Sequence, residues 1–256
     1  MTLQNTLQFA QAFGHEATDK RLDILQRIGE LGSISQAARS ARVSYKAAWQ
    51  ALETLSNLAG SPLVEKAVGG SGGGGARLTP AGVQLLEAAN LLHQARTHVL
   101  AKLEQRSNNT LSLSGLIGLG LRTSMRNQLP CRIKAISKKS GTARVQLELA
   151  NGTTLVSRIT KESAELLGLR AGMSALLLCK ATAVAIGTEL QKAPSLNVMG
   201  GAVLSSTSPP AGGETSIALL PGLNLIGFSA GKEALSKGQR AMATVDESAL
   251  VIAVPG

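Results

Sequence analysis

Along the N-terminal part of the chain, apolar residues recur every three or four positions, with polar residues between them. Leu22, Leu25, Ile28 and Leu31 predict a helix that Thr18 can cap and Gly32 stops. Ser33 and Gln36 form a capping box for a second helix, whose apolar face is Ile34, Ala37, Ala38 and Ala41. Ser44 caps a third, with Val43, Ala47, Ala48, Ala51, Leu52 and Leu55 on one side. Small alanines let the second and third helices cross closely, as a helix-turn-helix requires. Strand-like Leu63–Ala67 and Ala76–Leu78 flank a glycine run from Gly69 to Gly75, which reads as a hairpin, the wing of a winged helix. No Gly-Lys-Ser or Gly-Lys-Thr follows those glycines, so a phosphate-binding loop is rejected. Thr79 and Pro80 then open a long helix in which Leu85, Leu86, Ala89, Leu92, Val99, Leu100 and Leu103 keep helical spacing to about Gln105. That length exceeds what a small domain can bury, so the helix is expected to dimerise; packing within one chain is the alternative. Ahead of all this, Leu3, Leu7 and Phe9 suit either a short strand or a helix.

After Arg106-Ser-Asn-Asn-Thr the pattern changes. Glycines punctuate short runs of Val, Leu, Ile and Ala, which predicts small β-barrels. These runs repeat. Asn127–Ile133 aligns with Asn197–Val203, and Val145–Gly152 with Thr215–Gly222, at one constant offset. Gly172–Ile186 aligns with Gly238–Ile252 at a slightly smaller offset, so the second copy is shorter between these segments. The predicted architecture is an α+β multidomain chain. A winged helix-turn-helix with its long helix occupies 1–106, a linker 107–121, and two barrels 122–190 and 191–256.

Composition sharpens this picture in two ways. Aromatics make up 2% of the 256 residues, so the cores must be aliphatic. The net charge of +10 suits an anionic partner, but it is not concentrated on the helix-turn-helix: residues 1–106 hold 11 Lys/Arg against 8 Asp/Glu, and 107–256 hold 15 against 8. The two cysteines, Cys131 and Cys179, show neither disulfide framework nor metal spacing, and read as small buried residues in a reducing cytosol. No apolar run reaches membrane-spanning length, so no membrane partner is expected.

Two sets of residues carry candidate chemistry. No acidic residue lies between Glu30 and Glu53, whereas Arg39, Arg42 and Lys46 do. Ser44, Tyr45, Lys46, Trp49 and Gln50 sit near the start of the third helix, the end that usually meets base edges in the major groove. Ser33, Ser35 and Gln36 at the start of the second helix, and Arg77 on the wing, complete the candidate DNA-binding set. Trp49 and Tyr45 could instead be core aromatics. The second set lies in the first barrel. Arg126 and Lys180 offer cations; Ser124, Thr160 and Ser163 offer neutral donors, and Thr160 is expected to begin a short helix. A tetrahedral dianion suits such a mixture of balancing charge and short donors. The second copy is an internal control: Pro194 and Leu196 replace Ser124 and Arg126, and Asp246 replaces Lys180. The scaffold is repeated and the polar donors are not.

These motifs resemble the ModE family of molybdate-responsive transcriptional regulators. The resemblance rests on Ser33–Ala38, Ser44–Trp49, the wing from Gly69 to Thr79, Ser124–Leu129, Ile159–Ala164 and Lys180-Ala181, in that order along nearly the whole chain. It implies a cytoplasmic homodimer with two OB-like "Mop" barrels per chain, which binds operator DNA when molybdate or tungstate is bound and represses molybdate-transport genes. It further implies that the oxyanion sits where the two subunits' barrels meet. Ser124, Arg126 and Lys180, with Asn127 and Ala181, would come from one chain, and Thr160 and Ser163 from the other. Cys131 stands where a glycine is usual in the family.

Two other readings compete with this one. A molybdate storage or carrier protein of tandem barrels would leave the helix-turn-helix without a role. A LysR-type effector domain would show a longer alternating βαβ pattern, which residues 120–256 lack. An enzyme is not expected: no nucleophile is paired with a base, and His15, His93 and His98 are dispersed.

Overall fold

The computed structural model describes residues 19–67, 75–106, 123–190, 193–207, 213–229 and 234–254. The glycine tip of the wing, Thr18, the segment around Leu3–Phe9 and the linker lie outside the described residues. The chain forms two compact units. One gathers the N-terminal helices and wing with Thr160–Leu169; the other holds the remaining barrel residues.

In the first unit, α1 (Lys20–Leu31), α2 (Ile34–Ser40) and α3 (Tyr45–Ala59) pack as a three-helix core. The cap of α1 falls on Asp19, whose carboxylate accepts the Arg21 N–H. Ser33 and Ser44 accept the Gln36 and Ala47 N–H groups at 3.4 and 3.1 Å, as their positions before the apolar runs predicted. Gly32 and Gly60 close α1 and α3 at φ of 64° and 65°, the left-handed region that costs glycine nothing. The wing pairs β1 (Val64–Ala67) with β2 (Gly75–Leu78), antiparallel, with Glu65 opposite Arg77. α4 (Pro80–Arg106) follows, its start capped by the Thr79 hydroxyl, which accepts the Gly82 N–H at 3.1 Å. Its first two turns lay Ala81, Leu85 and Leu86 on the helix-turn-helix core. Further along, Leu91 and Leu92 are 67% and 72% exposed, so the helix carries apolar surface that the described residues do not cover. A short helix α5 (Lys161–Leu166) also joins this unit and packs Leu166 against the same core.

In the second unit, β3 (Asn127–Lys139), β4 (Thr142–Leu149), β5 (Thr154–Thr160) and β6 (Ser174–Cys179) come from the first copy of the repeat. β8 (Leu196–Ser206), β9 (Glu214–Leu220), β10 (Leu223–Ser229) and β11 (Arg240–Asp246) come from the second. Both copies share the fine detail of their ladders. Asn127 pairs with Cys179 and Asn197 with Val245; a bulge falls between Ile133 and Ala135, and another between Val203 and Ser205. In β4 inward and outward residues alternate, whereas β6 is buried at nearly every position and reads as an unbroken apolar run.

The two copies exchange their last strands. β7 (Ala185–Gly187) follows the first copy in sequence but pairs with β10 and β11, closing the second barrel. β12 (Val251–Ala253), at the end of the second copy, pairs with β6 and extends the first sheet. Ile186 and Ile252 are buried at these crossings. Two asparagines reinforce the exchange. Asn127, 1% exposed, accepts the Ile226 N–H and donates to the Ile226 carbonyl, both at 2.7 Å. Asn197 does the same to Val156, at 2.6 and 2.9 Å. Each side-chain amide thus imitates one rung of a β-ladder across the boundary between copies. Cys131 lies within β3 with its thiol against the Ala175 carbonyl; burial pushes its pKa up to about 12, which makes it an inert core residue.

Candidate nucleic-acid interface and oxyanion site

The recognition face is built by the alanines beneath it. Ala47, Ala48, Ala51, Leu52 and Leu55 fill the buried side of α3, leaving no room there for rings. Tyr45 and Trp49 therefore point outward, 53% and 45% exposed, and meet edge to face with centroids 6.3 Å apart. This decides between the two readings of these aromatics: neither is a core residue. An open groove of about 1380 Å³ brings Ser33, Ser35, Gln36, Tyr45 and Trp49 together. Ser44 is the cap of α3, and Gln50 lies on its half-buried flank. Arg77 stands on the outer side of the wing, its guanidinium 2.8 Å from Glu65.

The start of α3 is not bare. Lys46 is ion-paired with Glu162 of α5 at 3.0 Å, and the Ser44 N–H donates to Glu165 of the same helix at 3.1 Å. The Glu162 carboxyl is held below its ordinary pKa, first by its own backbone N–H and then by Lys46. Two carboxylates thus occupy, within this unit, the space beside Ser44 and Lys46. Nothing in the spacing along the chain signalled this contact.

The candidate oxyanion residues fall into two groups. Arg126 and Lys180 flank the paired ends of β3 and β6. Extending the Asn127–Cys179 register by one residue sets them opposite each other. Both are exposed, and Lys180 carries no carboxylate partner among the described residues. The Arg126 guanidinium is gripped by both carboxylate oxygens of Glu214, at the start of β9, which raises its pKa. Ser124 is an exposed residue of the bend leading into β3, and Ala181 opens the 3-10 turn that follows Lys180. Asn127 differs from its neighbours: its side-chain amide is fully engaged with Ile226, leaving only its backbone to face a ligand. Thr160 and Ser163 form the second group, at the start of α5. Thr160 caps that helix, accepting the Ser163 N–H at 3.0 Å, and the two hydroxyls are 2.8 Å apart.

The corresponding end of the second copy has the opposite chemistry. Leu196 pairs with Asp246 across β8 and β11. Arg144 grips Glu247 there, with Nε 3.0 Å from Oε2, and Arg158 lies 4.0 Å from Asp246. Hydrogen bonds from the Ser248 hydroxyl and N–H lead the causes that hold the Asp246 carboxyl down at about 2. Among the described residues, no group of His, Cys, Asp and Glu could hold a metal ion, and no helix is long and apolar enough to cross a membrane.

Comparison with known proteins agrees with this division. Residues 20–83 match the bacterial regulatory helix-turn-helix family of lysR type, and 123–186 match the TOBE domain. The molybdenum-pterin-binding protein MopA of Rhodobacter capsulatus is 39% identical over 74% of this chain and 73% of its own length. MopB of the same organism is 34% identical, over 92% of this chain and 89% of its own. The transcriptional regulator ModE of Yersinia pestis is 35% identical, over 82% and 81%. With a lysR-type helix-turn-helix followed by a TOBE domain, and relatives aligned over most of both lengths, the chain belongs to the ModE family.

Proposed function

We propose that this protein is a cytoplasmic homodimeric transcription regulator that binds operator DNA in response to molybdate or tungstate. The observation that carries the reading is the asymmetry between the two copies of the barrel. Their ladders and bulges coincide, yet one end offers Arg126 and Lys180 where the other offers Leu196 and Asp246. Folding requires neither cation, so their charge serves a ligand. Arg126 supplies a planar fork and Lys180 a compact charge; two cations balance one tetrahedral dianion. Ser124 and the backbone at Asn127 and Ala181 add neutral donors. Thr160 and Ser163 of a second copy of the chain complete the shell.

The dimer is supported by the exposed Leu91 and Leu92 on α4. Two wings and two recognition helices then address two half-sites, with Tyr45, Lys46, Trp49 and Gln50 toward the bases, and Ser33, Ser35, Gln36, Ser44 and Arg77 toward the backbone. Because Thr160 and Ser163 share α5 with Glu162 and Glu165, an anion held by the hydroxyls acts on the helix whose carboxylates cover Ser44 and Lys46. Binding of the anion is therefore linked to exposure of the recognition helix.

Calorimetric titration of the full chain with molybdate, tungstate, sulfate and phosphate tests the ligand assignment, and in vitro selection of duplex DNA tests the other half. Tight molybdate or tungstate binding together with a selected palindrome is the expected result. Oxyanion binding without any selected duplex would make the chain a carrier, and absence of oxyanion binding would remove the reading.

A further inference from the structure

The pseudo-symmetry that relates Arg126 to Leu196 and Lys180 to Asp246 also relates Glu214 to Arg144. Each end of the tandem barrel takes one charged residue from the second strand of the other copy. At the second copy's end, Arg144 and Arg158 of the first copy stand against Glu247 and Asp246, so the charges there balance. At the first copy's end, Glu214 pairs with Arg126 while Lys180 has no carboxylate partner among the described residues, leaving one positive charge over. Glu214 uses both carboxylate oxygens on the Arg126 fork, which is the geometry an oxyanion would need.

We propose that Glu214 is a tethered competitor for the oxyanion, and that it sets the concentration at which the site fills. The proposal rests on Arg126 being an oxyanion ligand. Before the anion binds, Glu214 occupies the fork and satisfies it. An arriving dianion must displace the carboxylate, which then remains on β9 close to a second negative charge. Both effects weaken binding. Since Arg126 and Glu214 are 52% and 43% exposed, solvent limits the effect to a modest factor. The site thereby responds at higher oxyanion concentration than the same donors would without Glu214.

Calorimetric titration of the full chain with sodium molybdate tests this in wild type, Glu214→Gln, Glu214→Ala, Glu214→Asp and Arg126→Ala, with thermal unfolding recorded for each. Glu214→Gln and Glu214→Ala should bind about three- to tenfold more tightly than wild type, and Glu214→Asp within about twofold of it. Arg126→Ala should lose most of the affinity. If the two neutral variants melt like wild type and bind no more tightly, while Arg126→Ala is impaired, the competitor role is overturned and the site assignment stands. If Arg126→Ala binds like wild type, the site assignment fails and the competitor role fails with it.

Discussion

Asn127→Ala separates a structural from a ligand role at a residue that the motif placed in the oxyanion site. In the wild type, its amide closes two hydrogen bonds of 2.7 Å with the backbone of Ile226, in the other copy of the repeat. Truncation leaves the Ile226 N–H and carbonyl without those partners at a position where the asparagine itself is 1% exposed. An unsatisfied buried polar group costs about 1–3 kcal/mol, so the pair predicts a loss of about 2–5 kcal/mol in the barrel unit. With a urea slope of about 2 kcal/mol/M, the barrel transition should move down by about 1–2.5 M. Two probes separate the units. Trp49, the single tryptophan, lies on α3 and reports the winged helix, while the far-UV circular dichroism transition that Trp49 fluorescence does not share reports the barrels. The circular dichroism midpoint should fall and the fluorescence midpoint should hold. Asn197→Ala, which frees Val156 in the same way, should behave alike. A barrel midpoint within about 0.3 M of wild type in both variants would refute the clamp.

Three further outcomes follow from the geometry. A Cβ on Gly82 would lie 2.3 Å from the Leu63 carbonyl oxygen, so Gly82→Ala should destabilise the winged helix by about 1–3 kcal/mol, read as a lower Trp49 fluorescence midpoint. Glu162→Gln removes the carboxylate on Lys46, so ligand-free affinity for duplex DNA should rise about two- to fivefold by fluorescence anisotropy; an unchanged value would mean that the pair does not compete with DNA. Burial raises the Cys131 pKa from 9.0 to about 12 and that of Cys179 in the same direction. A folded-state pKa above the unfolded one gives stability that is complete below pH 9 and is lost as pH rises from there toward 12. Barrel melting temperatures should therefore decline above about pH 9, and Cys131→Ser/Cys179→Ser should flatten that decline.

The local parts of the fold were legible because each rests on residues close in sequence. Ser33, Ser44 and Thr79 cap the helices they precede, and the alanine stripe of α3 lies buried. The cap falls on Asp19 instead of Thr18, a shift of one residue. The strand exchange was not legible. β7 and β12 are three residues each, too short to carry a period, and their partners are chosen by packing across the repeat. The contact of Glu162 and Glu165 with α3 joins elements more than a hundred residues apart and has no local signature. Asn127 is the instructive residue. Its recurrence as Asn197, beside positions where Ser124, Arg126 and Lys180 do not recur, already marked it as scaffold. The same comparison that singles out the cations also separates Asn127 from them.

The central claim is that the first copy's cations couple the oxyanion to DNA. Anisotropy of a selected palindromic duplex, titrated with protein in the absence and presence of saturating molybdate, tests it most directly. Coupling of about 1–3 kcal/mol predicts a 5- to 150-fold gain in affinity for wild type. Arg126→Ala and Lys180→Ala should abolish that gain and leave ligand-free binding nearly unchanged, while Leu196→Ala in the second copy should retain it. An undiminished molybdate response in Lys180→Ala would contradict the account.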